Sequence, residues 1–527
     1  LADGNICLDL KTISGQMEWL VPGEVTGSRV PDFEDWMKAL MAAPMVGRSE
    51  SSDLCRFPLV LDSDGCLYLS KYYDLQTRLV QALAARIQSR PRAVDPGFVH
   101  AAVEMRFRDQ NPAHTRLQKQ AVITALQHNF TVISGGPGTG KTHITRIIRD
   151  ILSANAHNRG LPAPRFLSLA PTGRAASRLP DGATIHSVLI PRKNHPGFIH
   201  GKDNLLAADV VIIDEASMID MALMTRLLEA IPLTAGVILL GDDNQLSPVQ
   251  AGAVFTDICT ADLLRPFVVS LTHNFRSHGR AGIEILAHAI RRSDVDEVTR
   301  ILTEDRYPDM VFAPAGPDYP QVLENYITDG YGPFMQQQGL AGSLDLMDRF
   351  RILCAHNIGE YGTLQINHLC EKLLRKFHPS DIRDGFLKQM IMISTNDYGR
   401  GLFNGDTGVV LTEEGDRVAG FTRENGRVQT FRYMDLPSHD PAFAVTIHKS
   451  QGSEFETVLI VIPDKVSRVM TRQLLYTGIT RARKKAVILG SLSVIREAMG
   501  LTLEKRSRLS RLLVEQTGTP GPGPDEV

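Results

Sequence analysis

Val132-Ile-Ser-Gly-Gly-Pro-Gly-Thr-Gly-Lys-Thr142 is a short apolar run that breaks into glycines and ends in Lys-Thr. The residues before it, Thr131 to Ser134, are β-branched and apolar, and those after it place Ile144, Ile147, Ile148 and Ile151 at helical spacing. Strand, glycine-rich loop and helix in this register form a phosphate-binding loop with Walker A spacing. Glycines let backbone N–H groups converge on phosphate oxygens at the positive end of a helix. Gly135, Gly136, Pro137, Gly138, Thr139 and Gly140 are the cradle; Lys141 reaches the terminal phosphates, and the Thr142 hydroxyl is placed to ligate magnesium. The bland alternative, a mere turn, does not account for Lys-Thr, strand and helix together.

Similar short strands recur on the carboxyl side: Arg165-Phe-Leu-Ser-Leu169, Val210-Val-Ile-Ile-Asp214 and Gly236-Val-Ile-Leu-Leu240. Apolar strands separated by helical stretches predict a parallel sheet with helices on both faces, whose ligands gather at the carboxyl ends of the strands. The polar motifs occupy those ends. Val210-Val-Ile-Ile-Asp-Glu-Ala-Ser217 stops in paired carboxylates, Asp214 to hold magnesium and Glu215 to polarise the attacking water. Acidic pairs at strand ends are often helix caps, but within the same alternating unit as the loop this pair reads as Walker B. Leu239-Leu-Gly-Asp-Asp-Asn-Gln245 runs into a polar turn whose Gln245 is placed to sense the terminal phosphate, and Leu271-Thr-His-Asn-Phe-Arg276 sets an arginine after an apolar run.

At 527 residues the chain exceeds one ordinary core, so several domains are expected. Apolar content of 43% and charged content of 22% fit a globular protein, and no apolar run approaches the roughly 18 residues of a membrane span. Six cysteines lie scattered without a Cys-x-x-Cys pair, which fits free thiols in a reducing, cytoplasmic setting. The net charge of −2 lends nucleic-acid binding no support, so any basic surface is local. The sequence opens on Leu1 rather than Met, from which some missing N-terminal residues are expected.

Residues 1–112 carry no catalytic pattern; Phe57 to Leu61, Asp62-Ser-Asp-Gly65 and Cys66 to Ser70 form a hairpin pattern, and Tyr72 to Gln88 a helical one, in a small, mainly helical docking domain. The motor unit spans 113–262, with a turn-rich, basic stretch at about 188–206 that fits a protruding hairpin. Residues 263–500 repeat the parallel texture in Arg351 to Cys354, Val458 to Ile462 and Ala486 to Leu489, interrupted over about 391–440 by β-rich segments with turns at Asn404-Gly405, Glu414-Gly415 and Asn425-Gly426. The tail, 501–527, ends in a Pro/Gly-rich run too poor in apolar residues to fold alone.

Gly-Gly-Pro-Gly-Thr-Gly-Lys-Thr, Ala170-Pro-Thr-Gly-Arg-Ala-Ala176, Thr184-Ile-His186, Ile213-Asp-Glu-Ala-Ser-Met-Ile-Asp220, Gly241-Asp-x-x-Gln-Leu246 and Asn274-Phe-Arg276, in this order, resemble the motor motifs of superfamily 1 helicases. The acidic stretch narrows the resemblance to the RecD type. Gly401-Leu-Phe-Asn-Gly-Asp-Thr-Gly408, Val445-Thr-Ile-His-Lys-Ser-Gln-Gly-Ser-Glu-Phe455 and Leu475-Tyr-Thr-Gly-Ile-Thr-Arg-Ala-Arg483 agree with it, over about 113–490. Departures are few: Gly478 stands where alanine is usual, Arg174 replaces a common lysine, and the family's extreme N-terminus is absent.

The resemblance implies an α/β fold of two RecA-like P-loop domains with ATP and Mg2+ between them, a small mainly helical N-terminal domain and an SH3-like β insert. It implies Lys141, Glu215, Gln245, Arg276 and Arg481 as catalytic residues, with Gln118 reading adenine. Single-stranded DNA would cross both domains over Pro171, Thr172, Arg174, Thr184, His186, Thr446, His448 and Gln451, moving 5′ to 3′. Two kinds of protein share these motifs: a stand-alone helicase with a long N-terminal extension, and the RecBCD subunit, with partners RecB and RecC, that works on double-stranded DNA ends in break repair and recombination. The short leading segment favours the latter. No nuclease-like acidic cluster with a lysine occurs, so exonuclease activity would belong to a partner. A catalytically silent scaffold is the rival from another class, against which the intact phosphate-site residues argue; a protein-remodelling ATPase is a further rival, separable by DNA stimulation.

Overall fold

The structure is a computed structural model describing residues 4–15, 30–50, 56–90, 94–192, 197–248, 250–275, 281–377, 387–397, 399–423, 427–502, 505 and 507–518. The phosphate-loop strand Phe130–Gly135 lies inside a six-stranded sheet. Across it the strands run Val268–Leu271, Phe130–Gly135, Gly236–Gly241, Val210–Ile213, Phe166–Ala170 and Gly182–Thr184, all parallel. Successive side chains of a strand point to opposite faces, and both faces here are covered. Val210, Ile212, Ile238 and Leu240 join one core with Ile144, Ile147 and Ile148 of the helix Lys141–Asn158. Val211, Ile213, Val237 and Leu239 join the other, with Met224 and Leu227 of the helix Met221–Ala230.

A second all-parallel sheet has the order Met310–Pro314, Ala482–Gly490, Phe455–Val461, Phe350–Cys354 and Ala444–Thr446, with its own large core. The α/β class and the two parallel-sheet domains expected from the strand texture are therefore present. The division near residue 262 is not where the sheets divide. Val268–Leu271 pairs in parallel with the phosphate-loop strand, Val268 opposite Val132 and Leu271 opposite Gly135, so the first sheet reclaims it. A short β-branched strand fits either sheet by pattern; the hydrogen-bonding edge it reaches settles the matter.

Within 391–440 the chain forms a five-stranded antiparallel sheet, ordered Val428–Arg432, Asp416–Thr422, Thr407–Glu413, Gln389–Ile393 and His439–Pro441. Two predicted turns have the backbone that Gly supplies, with φ of +92° at Gly405 and +91° at Gly415. The third, Asn425-Gly426, lies outside the described residues. The short helix Tyr433–Asp435 precedes the last strand, His439–Pro441, which pairs with the first, Gln389–Ile393.

The N-terminal unit contains more strand than expected, a four-stranded sheet of Cys7–Asp9, Cys66–Leu69, Leu59–Leu61 and Val46–Arg48. The predicted hairpin is its antiparallel pair with Leu59 opposite Leu69. Its long helix, Ser70–Ile87, buries Leu75, Leu79, Val80 and Leu83 in the same core as Met224 and Leu227, so this unit is packed onto the first motor sheet. The buried Arg86 guanidinium donates to the Leu228 and Ile231 carbonyls, at 2.8 and 2.7 Å, and Arg78 pairs with Glu229 at 2.6 Å. The tail returns to this junction as the helix Leu509–Thr517, with Leu509 and Leu513 in that core; residues 519–527 lie outside the described residues. The predicted stretch at 188–206 has antiparallel bridges Pro191–Phe198 and Gly201–Asn204, while 193–196 lie outside the described residues.

Candidate nucleotide site and nucleic-acid face

The loop after Phe130–Gly135 turns through Gly138 and Gly140, with φ of +85° and +89°, backbone that side chains with a Cβ rarely adopt. Gly140 then starts the helix Lys141–Asn158, whose first N–H groups open toward the loop. Lys141 Nζ donates to the Gly135 and Gly136 carbonyls and so lies along the cradle. The Thr139 hydroxyl closes the loop onto the Gly136 carbonyl at 2.9 Å, and the Thr142 side chain is exposed at the helix start.

Gln118, on the helix Pro112–Gln127, reaches the loop from the side and is only 3% exposed. Its Nε2 donates to the Thr139 carbonyl at 2.9 Å. A carbonyl can only accept, so this contact fixes the amide's orientation and leaves Oε1 as the remaining acceptor, buried and without a partner among the described residues. That is the complement of an exocyclic amine such as adenine's. A Cβ on Gly140 would stand 2.2 Å from Gln118 Nε2, so the glycine is needed for this approach as well as for its φ. The neighbouring wall is aromatic: His114 stacks on His273 at 3.9 Å, His273 meets Phe275 edge-on, and the Phe275 N–H donates to the Gly138 carbonyl. We expect Gln118→Ala to raise the KM for ATP about tenfold and to erase most discrimination against GTP, since one buried hydrogen bond is worth about 1 to 3 kcal/mol. Steady-state hydrolysis with both nucleotides measures this; an unchanged ATP/GTP ratio would sink the assignment.

Asp214 and Glu215 leave the strand Val210–Ile213, and Glu215 holds an unusual left-handed backbone with φ +52°. Its N–H donates to Asp214 Oδ1 at 2.9 Å. Burial pushes both carboxyls above their ordinary range. The Asp214 charge lifts Glu215 further, while Arg481, Lys141 and Arg178 pull it back. Arg481 belongs to the other domain. It is 2% exposed and follows the helix Arg472–Thr480, donating to the Thr477 carbonyl at 3.2 Å and the Ser453 carbonyl at 3.1 Å. Arg276, the other predicted arginine, lies outside the described residues.

Gln245, 4% exposed, sits in the turn after Gly236–Gly241. Its Nε2 donates to Asp242 Oδ2 at 3.2 Å, and its Oε1 is buried without a partner among the described residues. The turn touches the second domain three times. Tyr476 O–H donates to the same Asp242 Oδ2 at 2.9 Å, the Leu246 N–H donates to the Thr477 hydroxyl at 3.0 Å, and Gln451 Nε2 donates to the Leu246 carbonyl at 3.0 Å. Asp242, Tyr476 and Thr477 stand inside motifs the sequence exposes, but nothing in their spacing marks them. Their signal is a contact between residues more than two hundred positions apart.

These groups fit a nucleoside triphosphate with magnesium. The loop supplies backbone donors, Lys141 a cation, and the Thr142 hydroxyl and Asp214 carboxylate are hard oxygen donors of the kind magnesium takes. Two buried acceptors, Gln118 Oε1 and Gln245 Oε1, have no donor among the described residues.

The residues expected to meet DNA gather at the carboxyl ends of both sheets. Pro171 and Thr172 follow Phe166–Ala170, Thr184 ends Gly182–Thr184 with His186 just beyond, and Thr446 ends Ala444–Thr446 with His448 and Gln451 just beyond. Several are engaged within the protein. Thr172 and Thr184 cap the short helices they precede, and Thr446 accepts from the Lys449 N–H. His186 packs against Phe198, and burial holds both His186 and His448 below the usual histidine range. Gln451 is bound to the Gln245 turn. Arg174 bridges domains: it pairs with Asp348 at 2.7 Å and donates to the Thr407 hydroxyl of the insert at 3.1 Å. A wide cleft adjoins it, between the first sheet, the second and the insert, with Arg178, Arg349 and Arg423 among its walls.

Comparison with known proteins gives this geometry its family. The AAA domain family matches residues 114–307, and the UvrD-like helicase C-terminal domain matches 441–489. The chain is 30% identical over 534 residues to the RecBCD enzyme subunit RecD of Mycolicibacterium smegmatis, covering 95% of this chain and 89% of that protein. Against the subunit of Mycobacterium tuberculosis (strain ATCC 25618 / H37Rv) it is 31% identical, with 98% and 90% covered. The chain belongs to the RecD family. The ATP-dependent RecD2 DNA helicase of Deinococcus radiodurans is also similar, at 30% identity over 72% of this chain but 49% of that protein. Among solved structures, Pif1 helicase from Bacteroides in complex with ADP-AlF3 and ssDNA aligns with a TM-score of 0.41 and 19% identity, over 71% of this chain and 91% of that one. Among the described residues no helix is long and apolar enough to cross a membrane, and no cluster of His, Cys, Asp and Glu of metal-binding size occurs. A site sharing magnesium between Thr142, one carboxylate and phosphates needs no such cluster.

Proposed function

We propose that this chain is an ATP-dependent DNA helicase and translocase acting as the RecD subunit of a RecBCD enzyme in the cytoplasm. Its partners are RecB and RecC, its substrates double-stranded DNA ends and the single strands drawn from them, and its direction is 5′ to 3′. Nuclease activity belongs to a partner subunit. Membership of the RecD family, with close to nine-tenths of its mycobacterial relatives' length matched, supports the assembly and the substrate.

The observation that carries the motor reading is the split site: Lys141, Asp214 and Glu215 on one parallel-sheet domain face the Arg481 charge from the other. Charge builds on the transferred phosphoryl group during hydrolysis, and a cation arriving from the facing domain stabilises it only when the cleft is shut. Lys141 and the loop amides hold the phosphates, Gln118 holds the base, and Glu215 takes the proton of the attacking water. Magnesium, when bound by Thr142 and Asp214, neutralises phosphate charge. Gln245 answers the terminal phosphate, and Arg276 is proposed beside Arg481. Opening and closing of the cleft shifts the strand-end residues Pro171, Thr172, Arg174, Thr184, His186, Thr446, His448 and Gln451 of one domain relative to the other, converting hydrolysis into movement along DNA.

The test is ATP hydrolysis by the chain with and without single-stranded DNA, together with strand separation on duplexes tailed at either end. Stimulation by DNA and unwinding from a 5′ tail are expected. Hydrolysis indifferent to DNA would overturn the helicase reading, and failure to co-purify with RecB and RecC would overturn the assembly.

A further inference from the structure

The turn that carries Gln245 is held from the facing domain, and one side chain there has no function in the mechanism above. We propose that Tyr476 is a positioning residue for ATP hydrolysis: its hydroxyl fixes Asp242, and Asp242 fixes the Gln245 amide, so that Gln245 is set for reaction only while the two motor domains are in contact. The inference rests on the proposed ATPase reading.

Asp242 Oδ2 accepts from both Tyr476 O–H, at 2.9 Å, and Gln245 Nε2, at 3.2 Å. A carboxylate oxygen can only accept, so the amide must turn its nitrogen to Asp242 and leave its carbonyl oxygen as the remaining acceptor. That oxygen is Gln245 Oε1, buried and without a partner among the described residues, the group able to accept from an attacking water. Asp242 is 1% exposed and Tyr476 3% exposed, so the contact is made out of water, where it holds a geometry firmly. Burial and the Asp242 charge keep the Tyr476 phenol protonated, and therefore a donor.

Position supports the same conclusion. Tyr476 lies on the helix Arg472–Thr480, which leads directly into Arg481, and its hydroxyl lies 2.9 Å from where a Cβ on Gly136 of the phosphate loop would stand. One rigid helix thus presents the candidate arginine and the Asp242 anchor together. Its next residue, Thr477, receives the Leu246 N–H, so the turn is pinned on both sides of Gln245. Separation of the domains breaks these contacts at once and releases Gln245.

The experiment is Tyr476→Phe in the full chain, which keeps the ring in its packing and removes only the hydroxyl. DNA-stimulated kcat is expected to fall about tenfold, the value of one hydrogen bond to a charged group, with the KM for ATP changed less than about twofold. Combined with Gln245→Ala, the substitution is expected to add nothing further, because Tyr476 acts through Gln245. Unchanged kcat, or losses that multiply in the double variant, would overturn the proposal, the latter marking a purely structural role; thermal melting identifies a variant that has merely lost stability, and Thr477→Val then tests the second pin by the same kcat-against-KM reading. A wild-type chain without ATPase activity would instead overturn the ATPase reading itself.

Discussion

Glu215→Gln is expected to reduce ATP turnover by at least about a thousandfold while nucleotide and DNA binding persist, the loss appropriate to a group that takes the proton of the attacking water. The substitution keeps the side chain's shape and removes its charge from a site where burial and the neighbouring Asp214 already oppose ionisation. Stability should therefore move the opposite way from activity. A folded-state pKa raised above the unfolded value means that the ionised form destabilises the fold. That cost is fully present above the folded pKa and absent below the unfolded one, near 4.5. Glu215→Gln removes it, so the variant should melt at a higher temperature than wild type at about pH 8, with the difference shrinking toward about pH 5. Residual hydrolysis near the wild-type rate would remove Glu215 from the mechanism. A lower melting temperature at about pH 8 would contradict the electrostatic account of the site.

Arg481→Ala carries the second large effect. An arginine supplied across a nucleotide cleft is worth roughly 10³ to 10⁵ in rate, so single-turnover hydrolysis should fall by that order while ATP affinity changes little. Arg481→Lys is expected to recover only part of the loss, since lysine keeps the charge but not the planar fork that engages two oxygens. The measurement also separates the two candidate arginines: if Arg481→Ala hydrolyses ATP within about tenfold of wild type, Arg276 carries the transition-state charge alone. Because the Arg481 guanidinium also holds the Ser453 and Thr477 carbonyls, some loss of stability accompanies its removal, and melting must be followed beside the kinetics.

Local pattern made much of this molecule legible. The phosphate loop, its strand and its helix are a contiguous device, and each residue type in it follows from the chemistry of holding phosphate on backbone amides. The same holds for Asp214-Glu215 at a strand end and for the glycine turns of the insert, where φ near +90° demands the residue that is there. Other features were not legible because the information was not local. The strand Val268–Leu271 was placed with the wrong sheet, since an apolar β-branched tetrapeptide does not say which edge it will pair with. The N-terminal unit reads as mainly helical, yet it also holds a four-stranded sheet, and its Leu79 and Leu83 share a core with Met224 and Leu227. The motifs give no sign that Arg174 binds Asp348 and Thr407, or that Gln451 binds Leu246, across the domains.

The amino-acid sequence by itself therefore determined which chemical groups this protein can bring to a site: a glycine-rich loop ending in Lys-Thr, a pair of carboxylates at a strand end and an arginine downstream, on alternating strands and helices. Only the tertiary structure decided that the Arg481 charge reaches Glu215 from the other domain, that Gln118 binds the Thr139 carbonyl of the loop, and that Tyr476 reaches Asp242. The reason is physical. A motif's residue types are dictated by the backbone and ligand next to them, whereas an interdomain hydrogen bond depends on the packing of two whole sheets, which no short window of sequence contains.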